Sequence, residues 1–330
     1  MTASLGIVVP SRQRDATDIL RDADAAMYRA KAMGRNRWAL FDDALHPESV
    51  RRLALEADLQ RAVERQELEV HYQPLVDPVT GRPKSAEALV RWRSPTRGPV
   101  APSEFVPLAE ETGLIGPIGT WVLERAVAQA AAWDQARGPR LEQVAVNLSA
   151  RQLDDPATSV TVEDLLVRYG VAPGRLCVEV TESVLMLDTL AARETLEAFR
   201  SLGLRVAIDD SGTGYSSLAY LHALPVTTVK VDRMFVERLG AEDDSTAVVK
   251  AVVEMSHAMG LNVVAEGVSS AGLNVLVAGL GCERAQGFHW ARPLPSVEFA
   301  AWWRKTSSVP DLGEAAASRN HRGSQESAGV

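Results

Sequence analysis

Cysteine is scarce in this chain, with two in 330 residues, Cys177 and Cys282. Their separation makes no metal or redox spacing and excludes a disulfide framework, leaving two buried, reduced thiols in a cytoplasmic protein as the reading. Aromatic residues are also few, at 5%. Trp121, Trp133, Trp302 and Trp303 fall in helical stretches, where they serve packing rather than base stacking. His71, His222, His257 and His289 show no ligand spacing. No apolar run approaches the roughly 20 residues that span a bilayer, and no signal peptide opens the sequence, so no membrane contact is expected of this chain. Positive charge is in deficit: 35 Lys+Arg against 43 Asp+Glu give a formal net charge of −8. Such a balance disfavours duplex nucleic acid as a partner. An anionic substrate would have to be met by metal cations or by a local basic residue.

What is present is a regular alternation. From Glu69 onward, short apolar strands recur as EVHYQPLV, SAEALVRW, QVAVNLS, RLCVEVTE, RVAIDD, TTVKVD, NVVAEGV and RAQGFHW. Helical patterns fill most gaps, among them Val162–Tyr169, Leu187–Ser201, Met234–Met259 and Ala271–Ala278, and Arg125–Trp133 reads as an amphipathic surface helix. Eight strands with intervening helices predict an α/β fold, a TIM-type (β/α)8 barrel. The link DPVTGRPK is too short for the crossover that parallel neighbours need, so the first strand is expected to run antiparallel to the second. Ahead of the barrel, residues 1–45 carry strand SLGIVV, helix DILRDADAAMYRAKAMG and strand RWALF, too little to bury a core alone. The barrel is assigned to residues 46–308. Residues 309–330, rich in Ser, Ala, Gly and charge, read as a disordered tail.

The strand ends carry the chemistry. In such a barrel the C-terminal ends of the strands form the working face, and here they bear Glu87, Asn147, Glu179, the pair Asp209–Asp210, Lys230 with Asp232, Glu266 and Gln286. Carboxylates converging on one mouth repel one another, and one or two divalent cations are the simplest relief. An all-oxygen donor set without His or Cys suits Mg²⁺ or Mn²⁺ rather than Zn²⁺. Adjacent aspartates can serve two ions, an arrangement that favours phosphoester hydrolysis. By strand parity Glu179 shares a face with Cys177, while Glu182 lies beyond the strand and is better placed to hold a following loop. Lys230 and Asp232 share a face, where the lysine can orient a water or neutralise a phosphate.

These segments resemble the EAL domains, bacterial phosphodiesterases that open cyclic di-GMP. Glu87-Ala88-Leu89 is the name-giving triplet, and YQPLVD, EFVPLAEETGLI, VNLSARQL, VEVTES, AIDDSGTGYSSL, VKVDRMFV, VVAEGV and AQGFHWARP follow the family order. The resemblance implies Glu87, Asn147, Glu179 and Asp209 around one metal, and Asp209, Asp210 and Asp232 near a second. It implies Glu266 as general base or as the ligand that positions the attacking water, Lys230 fixing that water or a phosphate oxygen, and Gln73, Leu89, Arg91 and Gln286 as substrate contacts. Glu182 would anchor the loop Asp209–Ser217, which in this family couples the site to a dimer interface. The expected activity is hydrolysis of cyclic di-GMP to linear pGpG by two-metal activation of water, in a homodimer. Ser211 departs from the family pattern, which has Phe after the paired aspartates. A catalytically weak cyclic di-GMP receptor is the alternative. Residues 1–45 resemble the C-terminal end of a GGDEF domain without its catalytic motif.

Overall fold

The computed structural model describes residues 3–9, 15–33, 36–41, 45–136, 140–185, 189–211, 224–240 and 245–307. It divides into two compact units, residues 1–65 and 66–330. The helix Leu45–Glu64 therefore groups with the first unit, later than the boundary the composition suggests at 45/46.

In the first unit, strands β1 (Leu5–Ile7) and β2 (Trp38–Leu40) pair in parallel around the helix Ala16–Ala32. Asp15 caps that helix, its carboxylate accepting from the Asp18 amide. Gly6 faces the helix at a spacing that admits no side chain: a Cβ there would fall 2.0 Å from the Ala23 carbonyl oxygen. The opposite sheet face is apolar and exposed, with Leu5, Ile7, Trp38 and Leu40.

The second unit is a closed barrel. Its strands are β3 (Leu68–Val76), β4 (Pro83–Ser94), β6 (Gln143–Asn147), β7 (Leu176–Thr181), β8 (Arg205–Ser211), β9 (Thr228–Val231), β10 (Asn262–Ala265) and β11 (Arg284–Gln286). All eight expected strands are there. Strand β3 runs antiparallel to both β4 and β11, while the pairs from β4 through β11 are parallel. The reversed strand and its short link to β4 are thus as the sequence predicts. Two short strands extend the sheet, β5 (Gly98–Val100) on β4 and β12 (Leu294–Pro295) on β3.

Helices cover the outside, each burying one stripe. The helix Ile115–Gln135 turns Ile118, Val122, Ala126, Val127, Ala130 and Trp133 inward at helical spacing. Trp133 closes an aromatic cluster with Tyr72, Phe299 and Trp303. One helix expectation is corrected. Met234–Met259 is not continuous: a short helix, Arg233–Val236, ends at Glu237 and is separate from Ser245–Ala258, and Gly240 between them takes the left-handed conformation at φ 83. The expected tail lies outside the described residues.

Strand parity sets the barrel interior. Ala145, Cys177 and Ala207 pack together as one buried layer. Two residues further along each of those strands stand Asn147, Glu179 and Asp209. Small residues thus form the floor beneath a polar layer.

Candidate active site

Seven strands contribute to that polar layer, and backbone register fixes its level. Gln73 on β3 lies opposite Glu87 on β4, and Asn147 on β6 lies opposite Glu179 on β7. Lys230 enters from β9, and Gln286 ends β11. Glu266 follows β10, its amide donating to the Val231 carbonyl at 3.1 Å. The turns after β10 and β11 are locked together, since the Val268 amide donates to the Gln286 carbonyl and the His289 amide to the Val268 carbonyl, each at 3.0 Å. Gly287 allows this approach, as a Cβ there would meet the Val268 carbonyl oxygen at 2.0 Å.

Lys230 is the hub. Its side chain is 1% exposed, and its ammonium lies 2.7 Å from Glu179, 2.7 Å from Glu266, 3.2 Å from Asp209 and 3.8 Å from Glu87. Glu87 is also held by its neutral neighbours, accepting from Asn147 Nδ2 and from Gln286 Nε2, both at 2.7 Å. Gln286 Nε2 donates in addition to Gln73 Oε1 at 3.1 Å, and Gln73 Nε2 donates to the Ala291 carbonyl.

The charges do not balance: four carboxylates meet one ammonium. Protonation equilibria register the excess. Burial pushes the Glu179 carboxyl well up; Lys230 pulls it back only in part, and Glu87 and Asp209 act with burial. Burial likewise raises Glu266 to about 8, opposed by Lys230 and reinforced by Asp209. Glu87 goes the other way, because Lys230 and the hydrogen bonds from Gln286 and Asn147 outweigh its burial. For Lys230 itself burial works against the charge, but the surrounding carboxylates outweigh it and hold the ammonium well above the ordinary lysine value.

The layer opens into a cavity of about 280 Å³. Gln73, Glu87, Leu89, Asp209, Glu266 and Gln286 line it, and the sequence marks all six. Arg233, Glu237, Gly267, Ser269, Gly287 and Phe288 line it too, and sequence reasoning misses them. Three of these carried a signal in their position: Arg233, Gly267 and Gly287 each directly follow a predicted site residue.

Other expected site residues stand differently. Asp232 caps the helix Arg233–Val236, its carboxylate accepting from the Met234 amide at 2.6 Å, and it lines a neighbouring shallow cavity with Arg233, Met234, Glu237 and Arg238. The Arg91 guanidinium donates to the Val90 carbonyl at 2.7 Å. Burial lowers its pKa, and the nearby Glu87 charge opposes that shift. Glu182 is buried at the start of the short helix Glu182–Leu185. The side chains of Asp210 and Ser211, and the loop beyond them that Glu182 was expected to anchor, lie outside the described residues.

The donor chemistry fits a divalent cation. It is all oxygen and amide, it lacks His and Cys, and it retains negative charge after Lys230 is counted. Among the described residues no three acidic side chains form a ready-made ligand cluster; the carboxylates are turned onto Lys230 instead.

A family model, the EAL domain, matches residues 56–293. The chain is 40% identical over 302 residues to the Pseudomonas aeruginosa bifunctional diguanylate cyclase/cyclic di-GMP phosphodiesterase MucR, covering 91% of this chain and 44% of that protein. It is 39% identical over 305 residues to the Escherichia coli cyclic di-GMP phosphodiesterase PdeR, covering 92% of this chain and 46% of that protein. It thus spans less than half the length of these relatives. Among solved structures, the PaMucR phosphodiesterase in complex with c-di-GMP superposes with a TM-score of 0.72 at 41% identity, covering 74% of this chain and 99% of that one.

Proposed function

The chain belongs to the EAL domain family, and from that premise we propose that its barrel is a metal-dependent phosphodiesterase that hydrolyses cyclic di-GMP to linear pGpG. The observation that carries the reading is the convergence of Glu87, Glu179, Asp209 and Glu266 on Lys230, beneath an open cavity that Glu87, Asp209 and Glu266 line. A surplus of buried carboxylate is unfavourable for an apoprotein and suited to receiving cations.

In this reading Glu87, Asn147, Glu179 and Asp209 would hold one Mg²⁺ or Mn²⁺, and Asp209, Asp210 and Asp232 would hold a second. When bound, such ions lower the pKa of water and neutralise charge developing on a phosphate. The chain's own residues do the rest. Glu266 borders the cavity; burial raises its carboxyl to about 8, so a cation bound beside it would first displace that proton and leave the carboxylate able to accept one from the attacking water. Lys230, fixed by Glu179 and Glu266, orients that water and offsets phosphate charge. Water adds across one P–O3′ bond, leaving a 5′-phosphate and a 3′-hydroxyl, as pGpG requires. Gln73, Gln286, Leu89 and Arg91 orient the nucleotide. Phe288, half exposed on the wall, offers a flat face for a purine. Glu182 steadies the loop after β8. A homodimer and a GGDEF-like origin for residues 1–45 complete the proposal.

The test is incubation of purified protein with cyclic di-GMP and Mg²⁺ or Mn²⁺, with products separated by chromatography, beside Glu266→Ala. Conversion to pGpG by the parent and not by the variant is expected. Retained binding without conversion by the parent would favour a receptor, with Ser211 the first residue to restore to Phe.

A further inference from the structure

Two cations of unlike standing serve this site, one beneath the cavity and one on its wall. Lys230 is fully buried and committed to four carboxylates. Arg233 sits on the wall, its side chain 63% exposed, paired one turn along with Glu237 Oε1 at 2.9 Å. Its stem is not loose. It lies across Gly267, the residue after Glu266, so closely that a Cβ there would fall 2.2 Å from Arg233 Cγ and 2.7 Å from its Cβ. Gly267 holds φ +72, so both its conformation and its lack of a side chain suit this crossing. The guanidinium is therefore anchored by its stem and held ready by a weak, exposed pair.

A cyclic dinucleotide carries two phosphodiesters. Only one can sit at the carboxylate floor; the other must lie against the wall, in a cavity whose excess charge is negative. Resting on the reading above, we propose that Arg233 clamps the phosphodiester that is not being cleaved, and that Glu237 parks the guanidinium until that phosphate displaces it. A guanidinium can hold a phosphate in a bidentate fork, whereas its pair with Glu237 is one exposed contact through Nε. The exchange replaces one anion by another at Arg233 and needs no movement of its stem.

The test uses Arg233→Met, which keeps an unbranched stem over Gly267 and removes the charge. Two substrates are compared on the full chain: cyclic di-GMP, and bis(p-nitrophenyl) phosphate, which has one phosphodiester. The expected loss for cyclic di-GMP is about tenfold, the scale of one charge-assisted hydrogen bond. It should appear in KM, exceed the loss for the small substrate at least fivefold, and be partly restored by Arg233→Lys. Calorimetric binding of cyclic di-GMP under chelator, where nothing turns over, should weaken by a similar factor. Glu237→Gln should tighten that binding. Equal losses on both substrates would assign Arg233 a structural role through Gly267 and overturn the proposal, as would an unchanged KM for cyclic di-GMP. A parent that cleaves the small diester but neither binds nor cleaves cyclic di-GMP would instead overturn the functional reading, and the clamp with it.

Discussion

The two ends of the barrel treat charge in opposite ways, although the same strands build both. At the N-terminal end, Arg284 of β11 donates to Glu142 at 2.6 Å, and Lys84 of β4 lies 3.7 Å from Glu142 and 3.8 Å from Asp77. Two cations meet two carboxylates. At the C-terminal end, Glu87 of the same β4 and Gln286 of the same β11 face a layer in which one ammonium serves four carboxylates. A balanced end closes a fold; an unbalanced, buried one is a cost the fold sustains for something it binds. The contrast separates stability from chemistry within strands of 12 and 3 residues.

The largest effect should come from removing the hub. Lys230→Met leaves its carboxylate partners buried without their cation, and a loss of about 3–5 kcal/mol is expected in the metal-free protein. Mg²⁺ or Mn²⁺ should recover part of it. Arg284→Met at the opposite end should cost about 1–3 kcal/mol with no recovery by metal. Denaturant melts with and without metal would read both, and equal metal rescue at the two ends would erase the distinction.

Glu179→Gln tests the mouth from the acidic side. It removes a buried carboxylate whose charged form is disfavoured, so the metal-free melting temperature should hold or rise. Hydrolysis of cyclic di-GMP should nevertheless fall by about 10² or more, the range for losing a group that stabilises transition-state charge. Unchanged activity with lowered stability would make Glu179 a structural residue.

A third effect lies in pH. Glu266, at about 8, and Glu179, also raised, keep protons in the folded protein that the unfolded chain releases at ordinary carboxylate pH. Their contribution is therefore most favourable below about pH 4.5 and is lost as pH rises toward 8. Cations that take the place of those protons should then stabilise more at pH 8 than at pH 6. Melting temperatures with and without Mn²⁺ at the two pH values would show this, and a larger metal gain at pH 6 would contradict it.

The smallest effect belongs to the rim of the balanced end. Lys84→Ala breaks two long, partly exposed contacts and should cost at most about 1 kcal/mol. Turnover should match the parent. A larger loss would mean that the N-terminal end carries more than closure.

Much of this is legible in the sequence. Period-2 apolar runs marked all eight strands, and the short DPVTGRPK link fixed the reversed one, because chain length alone forbids a crossover there. Parity placed Glu179 over Cys177 correctly, since strands permit two faces only. The hub was not legible. Sequence shows Lys230 as one of several polar strand ends, and only three-dimensional closure reveals that carboxylates from β4, β7, β8 and the turn after β10 reach the same ammonium. The cap role of Asp232 was hidden for a related reason. An Asp at a strand end and an Asp before a helix are the same residue here, and the four-residue helix that follows carries too little pattern to announce itself. Arg233 and Gly267 look ordinary in sequence because their meaning lies in contact with each other.

The measurement that reaches furthest is a titration of Mn²⁺ into metal-stripped protein while cyclic di-GMP conversion is followed. The account predicts no product under chelator, then saturable formation of pGpG as metal is added. Full conversion under chelator, or none at any metal concentration, would contradict the claim that the negative mouth of this barrel is completed by divalent cations for hydrolysis.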